Sequence, residues 1–207
     1  ATGFIGQFLI RNLIKRRQPI YVLVRKGSVR KLEALRAQWG ATEKEVIPVI
    51  GDLGGRSLGV SPADVKKLKG KIDHMFHLAA VYDLKASADE QQKANVDGTR
   101  HALQFAKAVT AGCFHHVSSI AAAGLYDGVF REDMFDEAED LDHPYFRTKH
   151  DSEKVVRMEC ERPFRIYRPG FVVGDSKTGY IDKIDGPYYF FKALQKMRSM
   201  LPQWMPM

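Results

Sequence analysis

Short apolar runs alternate along this chain with stretches of helical periodicity, and that rhythm restricts it to one kind of architecture. The runs cover residues 20–24, 46–50, 74–78, 114–117 and 164–167 and are built largely from β-branched and aromatic residues. Between them lie helical stretches over 31–39, 63–68, 91–109 and 145–161. Ser61-Pro62 marks one helix start, with Ser as N-cap and Pro at the first helical position. Strands that alternate with helices predict a parallel sheet covered on both faces, because each parallel connection needs a crossover. The 207 residues suffice for a domain with a full core. At 44% hydrophobic and 28% charged residues, collagen-like, mucin-like and disordered classes are excluded.

The first residues sharpen this. Thr2-Gly3-Phe4-Ile5-Gly6 runs into Phe8, Leu9, Leu13 and Ile14 at helical spacing, and the stretch closes on Lys15-Arg16-Arg17, cations suited to a helix C-terminus. The buried strand 20–24 follows Pro19. A glycine loop that opens a helix and leads to a strand is the first unit of a dinucleotide-binding fold. Glycine lets the backbone approach a pyrophosphate, and the helix N–H groups from Gly6 onward point at the anion. One glycine immediately before Ala1 would complete G-x-x-G-x-x-G, and a strand should precede it. The expected fold is therefore an α/β, Rossmann-type doubly wound parallel sheet with its first strand outside the chain. A cofactor-binding domain is expected over 1–170, and the start of a substrate-binding portion over 171–207.

Ligands of such sheets meet the carboxyl ends of the strands. Here those ends carry Arg25-Lys26, Asp52-Leu53, Ala79-Ala80, Ser118-Ser119 and Arg168-Pro169-Gly170. A guanidinium at Arg25 suits the 2′-phosphate of NADP, where a carboxylate would bind the ribose hydroxyls of NAD. Asp52 either contacts the adenine side or caps the following turn. Tyr145 and Lys149 stand four apart on one face of a predicted helix. A free phenol titrates near 10, and a neighbouring ammonium favours the phenolate, so Tyr145 can pass a proton to a carbonyl oxygen as hydride reaches the carbon. Ser118-Ser119 follows a strand, and a hydroxyl there can donate to the same oxygen.

The order of these words, T-G-F-I-G, H-L-A-A, N-V-D-G-T, V-S-S-I, Y-x-x-x-K and R-P-G, resembles the extended short-chain dehydrogenase/reductases. Residues 21–27, Gly51-Asp52-Leu53 and residues 165–170 look like their male-sterility and thioester-reductase branch. The chain resembles still more closely the N-terminal part of the large bacterial alcohol-forming fatty acyl-CoA reductases, over nearly its whole length. The resemblance implies an NADPH-dependent reductase acting on a long-chain acyl-CoA, a fatty aldehyde or both, toward fatty alcohol, with a second reductase domain in the full-length chain. Residues 1–6, including Thr2, Gly3, Phe4, Ile5 and Gly6, would form the pyrophosphate loop, and Arg25 would select NADPH. Asp52 and Leu53 would touch adenine, and Ala79 and Ala80 would floor the cofactor. Pro169 and Gly170 would line the nicotinamide pocket, and Lys149 would also hold its ribose. Ser119 would bind the carbonyl oxygen, with Ser118 as the other register; Tyr145 would be the acid and Lys149 its electrostatic partner. Asn95 of N-x-x-G-T would position a helix.

Other readings are weaker. The net charge is +7, from 32 Lys+Arg against 25 Asp+Glu, but the basic residues are scattered and no RNA-binding signature interleaves them with aromatics, so no nucleic-acid partner is expected. His74 and His77 fall on opposite faces of one strand, as do His115 and His116 on another, so no metal site is expected. Cys113 and Cys160 have no assigned activating base and make no disulfide framework, which favours buried thiols in a reducing, cytoplasmic compartment. No run of 18 apolar residues exists for a spanning helix, and no signal peptide opens the chain. The aromatic stretch 188–191 to Trp204 is expected in the core of the substrate portion, with an acyl tunnel or a membrane contact as alternatives. A homo-oligomer is compatible with all of this. A sugar-nucleotide epimerase or dehydratase and a non-catalytic NADP-binding sensor are the competing functions. The acidic stretch 132–142 before Tyr145 suits a sugar diphosphate poorly, and an intact Ser119, Tyr145 and Lys149 argue against a sensor.

Overall fold

The computed structural model describes residues 2–80, 86–181 and 187–200. Strand β1 (Ile20–Val24) shows how the sequence makes its sheet. Its alternate residues Ile20, Val22 and Val24 point to one face, where they pack with Ile10, Leu32 and Val46. Tyr21 and Leu23 point to the other, into the larger core. Helices α1 (Phe4–Ile14) and α2 (Val29–Gln38) supply Ile10 and Leu32, so they cover the first face. Strand β2 (Val46–Ile50) pairs in parallel with β1, from Ile20↔Val46 to Val24↔Ile50. Its Pro48 lacks an N–H, which an edge strand tolerates.

Three further strands, β3 (His74–His77), β4 (Cys113–Val117) and β5 (Phe164–Tyr167), form a second parallel sheet in that order. The described strands thus make two parallel sheets, and side-chain packing links them. One cluster contains Val49 of β2, Phe114 of β4, Ala102, Ala106 and Val109 beside α5 (Gly98–Ala108), and Val155 and Val156 of α6 (Pro144–Glu159). Phe114 and Ala106 are fully buried there; a phenylalanine buried to that degree contributes about 2–3 kcal/mol.

Helix α3 (Pro62–Leu68) begins as its sequence predicts, with Ser61 Oγ accepting from Asp64 N at 3.1 Å. The stretch 91–109 does not stay one regular helix. It opens as α4 (Ala88–Gln91) behind a capping box between Ser87 and Glu90, widens into a π-helical turn at Gln92–Asp97, and resumes as α5. Gly98 sits where the helix meets Leu53 so closely that a Cβ would lie 2.8 Å from the Leu53 side chain. The wide turn also buries Asn95, whose Nδ2 donates to Thr148 Oγ1 at 3.2 Å and ties the turn to α6.

Residues 1–169 form one compact unit and 170–207 a second. In the second, Asp175 closes a turn by accepting from the backbone of Lys177 and Thr178, and Gly174 N donates to Tyr188 Oη at 2.7 Å. Helix α7 (Pro187–Met200) follows. Tyr189, Phe190 and Phe191 are exposed rather than in a core; Trp204 lies outside the described residues, as does Ala1 of the glycine loop.

Candidate active site

Four residues join α6 to β5, and five join α1 to β1. Links this short make each helix antiparallel to its strand, so both helices begin at the carboxyl edge of their sheets. At the start of α1, Gly3 is the N-cap; no side chain caps the helix and no acidic residue stands in its first turn. A Cβ on Gly3 would meet no described atom within 4 Å. Thr2 is held by Gln7 Nε2, which donates to its carbonyl at 3.1 Å, and Gly6 is buried in the helix. Arg25, directly after β1, is exposed and makes no side-chain hydrogen bond or ion pair among the described residues. A glycine cap and a guanidinium without a hydrogen-bond partner among the described residues are both suited to the phosphates of a dinucleotide.

Asp52 Oδ1 accepts from Gly54 N at 2.8 Å, so the carboxylate does cap its turn. Leu53 packs on Gly98, and its carbonyl bonds His101 Nδ1 at 3.0 Å. Ala79 is exposed and Ala80 partly so, just beyond β3. Pro169 O accepts from Ile120 N at 3.1 Å, binding the end of β5 to the turn after Ser119. Gly170 is exposed and opens the second unit.

Helix α6 starts at Pro144, with His143 as N-cap and its Nδ1 accepting from Tyr145 N at 3.1 Å. Tyr145 is half-buried in the first turn, and Lys149 is buried one turn on. The Lys149 ammonium donates to Val117 O, the last carbonyl of β4, at 3.0 Å. Burial pulls its pKa down from 10.5 to about 8 against the opposing charge of Glu153. The two serines differ. Ser118 is buried and donates to Glu153 Oε2 at 2.8 Å. Ser119 is half-buried and caps the 3-10 turn Ile120–Ala123, accepting from Ala121 N at 3.1 Å, which leaves its O–H available. Helix α6 packs against that turn, with His150 Nδ1 on Ala122 O at 3.0 Å. Gly124 closes the turn at φ 65°, where a side chain would collide with Glu139 O.

Sequence reasoning missed Glu153 and the role of Arg168. Glu153 is fully buried and receives Arg168 Nη2 at 2.6 Å, Arg168 Nε at 3.1 Å and Arg157 Nε at 2.9 Å besides Ser118. Burial pushes its carboxyl up, but the bonds from Arg168, Ser118 and Arg157 and the Arg168 charge outweigh this and hold it below the usual range. Its position four after Lys149 extends the Tyr145–Lys149 face of the helix, a signal already present in the spacing.

Deeper in, His77 Nε2 bonds Thr99 Oγ1 at 3.1 Å, and Thr99 donates to Asn95 O at 2.6 Å. Burial, aided by the Lys149 charge, takes His77 down to about 4. Neither ring nitrogen of His116 has a hydrogen-bond partner among the described residues. On the opposite face of β4, ligand atoms of His74, Cys113 and His115 lie within 4.8 Å of one another. Within-strand parity could not reveal this grouping, because it forms across the register of β3 and β4. His74 Nδ1 bonds directly to His115 Nε2 at 3.0 Å, and Tyr167 Oη bonds the other His115 nitrogen. Arg165 pairs with His115 in register; burial, His74 and Arg165 together lower the His115 pKa. A ring-to-ring hydrogen bond beside a fixed positive charge opposes a cation there. The Cys160 thiol is pushed up by burial and donates to Arg162 O, which is contrary to a nucleophile.

Parallel α/β sheets with a glycine-capped first helix, a Ser-bearing strand end and a Tyr–Lys pair on the following helix define an extended short-chain dehydrogenase/reductase, an NAD(P)-binding oxidoreductase. The chain matches the male sterility protein family over residues 1–207 and belongs to it. It is 34% identical to a component of the linear gramicidin synthase of Brevibacillus parabrevis, across 89% of this chain and 4% of that protein. It is 26% identical to the putative fatty acyl-CoA reductase CG8306 of Drosophila melanogaster, across 95% of this chain and 47% of that one. The terminal R domain from the myxalamid PKS-NRPS biosynthetic pathway superposes with a TM-score of 0.80 at 29% identity, covering 95% of this chain and 54% of the domain. The chain thus spans about half of that domain and a small part of the synthase. No helix among the described residues is long and apolar enough to cross a membrane.

Proposed function

We propose that this chain is the cofactor-binding and catalytic part of an NADPH-dependent reductase that takes a fatty acyl-CoA thioester, a fatty aldehyde or both toward the alcohol. NADPH, when bound, supplies the hydride. The open cap at Gly3 with Thr2, Phe4, Ile5 and Gly6 would hold the pyrophosphate and Arg25 the 2′-phosphate, with Asp52 and Leu53 toward adenine. Ala79, Ala80, Pro169 and Gly170 would surround the rest. Ser119 donates its O–H to the substrate carbonyl oxygen, and Tyr145 hands that oxygen its proton. Lys149 stabilises the phenolate left behind. With a thioester, the C–S bond breaks, the thiol leaves and an aldehyde forms; with an aldehyde, the alcohol is the product.

The observation that carries this reading is the division of labour between the serines: Ser118 is bound to Glu153, so Ser119 is the hydroxyl left for a substrate beside α6. A second reading has its own support. The identity to the gramicidin synthase exceeds that to the Drosophila protein, which favours a peptidyl thioester tethered to a carrier. The test is NADPH oxidation by the full-length protein with a long-chain acyl-CoA, a long-chain aldehyde, a peptidyl-pantetheine thioester and a UDP-sugar in parallel. Turnover of the long-chain acyl-CoA, the long-chain aldehyde or both is expected; turnover of the peptidyl thioester alone supports the second reading, and turnover of the sugar alone sinks both. Tyr145→Phe should lower kcat by about 100-fold or more while NADPH still binds.

A further inference from the structure

One helical turn beyond Lys149 lies a fully buried carboxylate with no part in the chemistry above. We propose that Glu153 is a positioning residue: it clasps α6 to the carboxyl ends of β4 and β5 and so fixes both the place and the charge of the Lys149 ammonium. The proposal rests on reading Tyr145 and Lys149 as the reacting pair.

The geometry is that of a three-element joint. Glu153 belongs to α6, Ser118 follows β4 and Arg168 follows β5, and all three meet at the carboxylate at 2.6–3.1 Å. Arg168 extends the joint by donating to Arg131 O at 3.2 Å and Met134 O at 2.8 Å, which anchors the loop before α6. Lys149 reaches the same strand end through Val117 O, one residue before Ser118. The carboxylate thus holds the helix turn that carries Lys149 against the strand that receives its ammonium. A fork of two Arg168 nitrogens on one carboxylate makes the joint directional as well as attractive.

The charges around Lys149 also single out Glu153. From β3 comes His77 and from β4 His116, both held neutral near physiological pH by burial. From its own helix come Glu153 and, behind it, Arg157; from the end of β5 comes Arg168, bound to the far side of the carboxylate. Among the described residues, Glu153 is therefore the negative charge that supports the buried ammonium. The competing view is a structural staple with no influence on the charge of Lys149.

The experiment is the pH profile of kcat/KM for NADPH oxidation by the full-length protein, using the substrate turned over in the panel above. Glu153→Gln should move the alkaline limb about 1–2 pH units to lower pH, with NADPH binding at pH 6 retained. Arg168→Gln loosens the same joint but leaves the negative charge and removes a cation, so its limb should stay at the wild-type position or move to higher pH. A wild-type limb in Glu153→Gln, or equal displacement in both variants, overturns the proposal. If Glu153→Gln does not fold, Glu153→Gln combined with Arg168→Met gives an uncharged, packed pair, and its limb is read by the same criterion. If Tyr145→Phe keeps full turnover, the reading of the acid pair fails, and this proposal with it. If Tyr145→Phe is inactive and the Glu153→Gln limb is unmoved, only the positioning role falls.

Discussion

The starts of α1 and α6 face the carboxyl edges of their sheets with opposite strategies. At α1 the protein leaves its donors without a side-chain cap: the N-cap is a glycine and the first turn has no acid. At α6 it satisfies nearly everything itself: His143 caps Tyr145, Lys149 bonds Val117 O, and Glu153 accepts from three side chains. A helix start without a side-chain cap leaves its N–H groups to water or to an anion, so on the proposed reading the first end is the one a ligand's pyrophosphate completes. The second end is finished by the protein itself, which on the proposed reading would hold Tyr145 and Lys149 in place without reorganisation during the reaction. The difference teaches that binding and chemistry place opposite demands on unsatisfied polar groups.

The sharpest way to break this contrast is Lys149→Met. The ammonium keeps its proton to about pH 8 in the fold, against 10.5 for the ordinary side chain. Below pH 8 both folded and unfolded states carry the charge, and the fold bears the full burial penalty of about 3 kcal/mol. Between pH 8 and 10.5 the unfolded chain holds more protons, so wild-type stability rises with pH across that window. Losing the bond to Val117 O offsets about 1 kcal/mol. The variant should therefore be inactive and about 2 kcal/mol more stable than wild type at pH 7, with the gain shrinking toward pH 10. Urea midpoints at pH 7 and 9.5 decide it; a destabilised variant at pH 7 would show that the buried charge helps the fold.

Next in size is Arg25→Ala, which tests whether the α1 end is finished by a 2′-phosphate. Charge-assisted bonds of this kind contribute about 1.5–3 kcal/mol, so the Kd for NADPH should rise about 10- to 100-fold while that for NADH stays put. Equal losses for both cofactors in a fluorescence titration would remove Arg25 from the selector role.

The two ends were not equally legible. Runs of β-branched and aromatic residues placed the five described strands, because such a short apolar run is a local signal; β2 even matches at both ends despite Pro48. Ser61-Pro62 announced α3 through its cap. The glycine loop and the Tyr–Lys spacing are likewise local, so the candidate residues could be named. What stayed hidden depends on register between elements. Glu153 and Arg168 meet across 15 positions and two elements, and His74 finds Cys113 and His115 only once β3 is paired with β4. The π-helical turn at Gln92–Asp97 leaves the helical pattern of apolar residues almost intact, so periodicity alone reads one helix through it. The choice between Ser118 and Ser119 needed the partner of one of them.

The smallest expected change, Gly3→Asp, tests the α1 end most directly because it reverses the usual order of stability and function. Gly3 has φ −84° and ψ 172°, a backbone conformation any residue adopts, and an added Cβ would meet no described atom within 4 Å. An aspartate N-cap accepts from the first-turn N–H groups and complements the helix dipole. Relative to glycine it should stabilise the fold by about 0.5 kcal/mol. The same carboxylate then stands where the pyrophosphate would bind, supplying internally what the ligand supplies otherwise. NADPH and NADH should both bind at least about tenfold more weakly, since the lost contacts are those to the shared pyrophosphate. Thermal unfolding and cofactor titration on one preparation separate the two effects. A variant that gains stability and keeps its cofactor affinity would mean that the open cap of α1 is not where the dinucleotide is held.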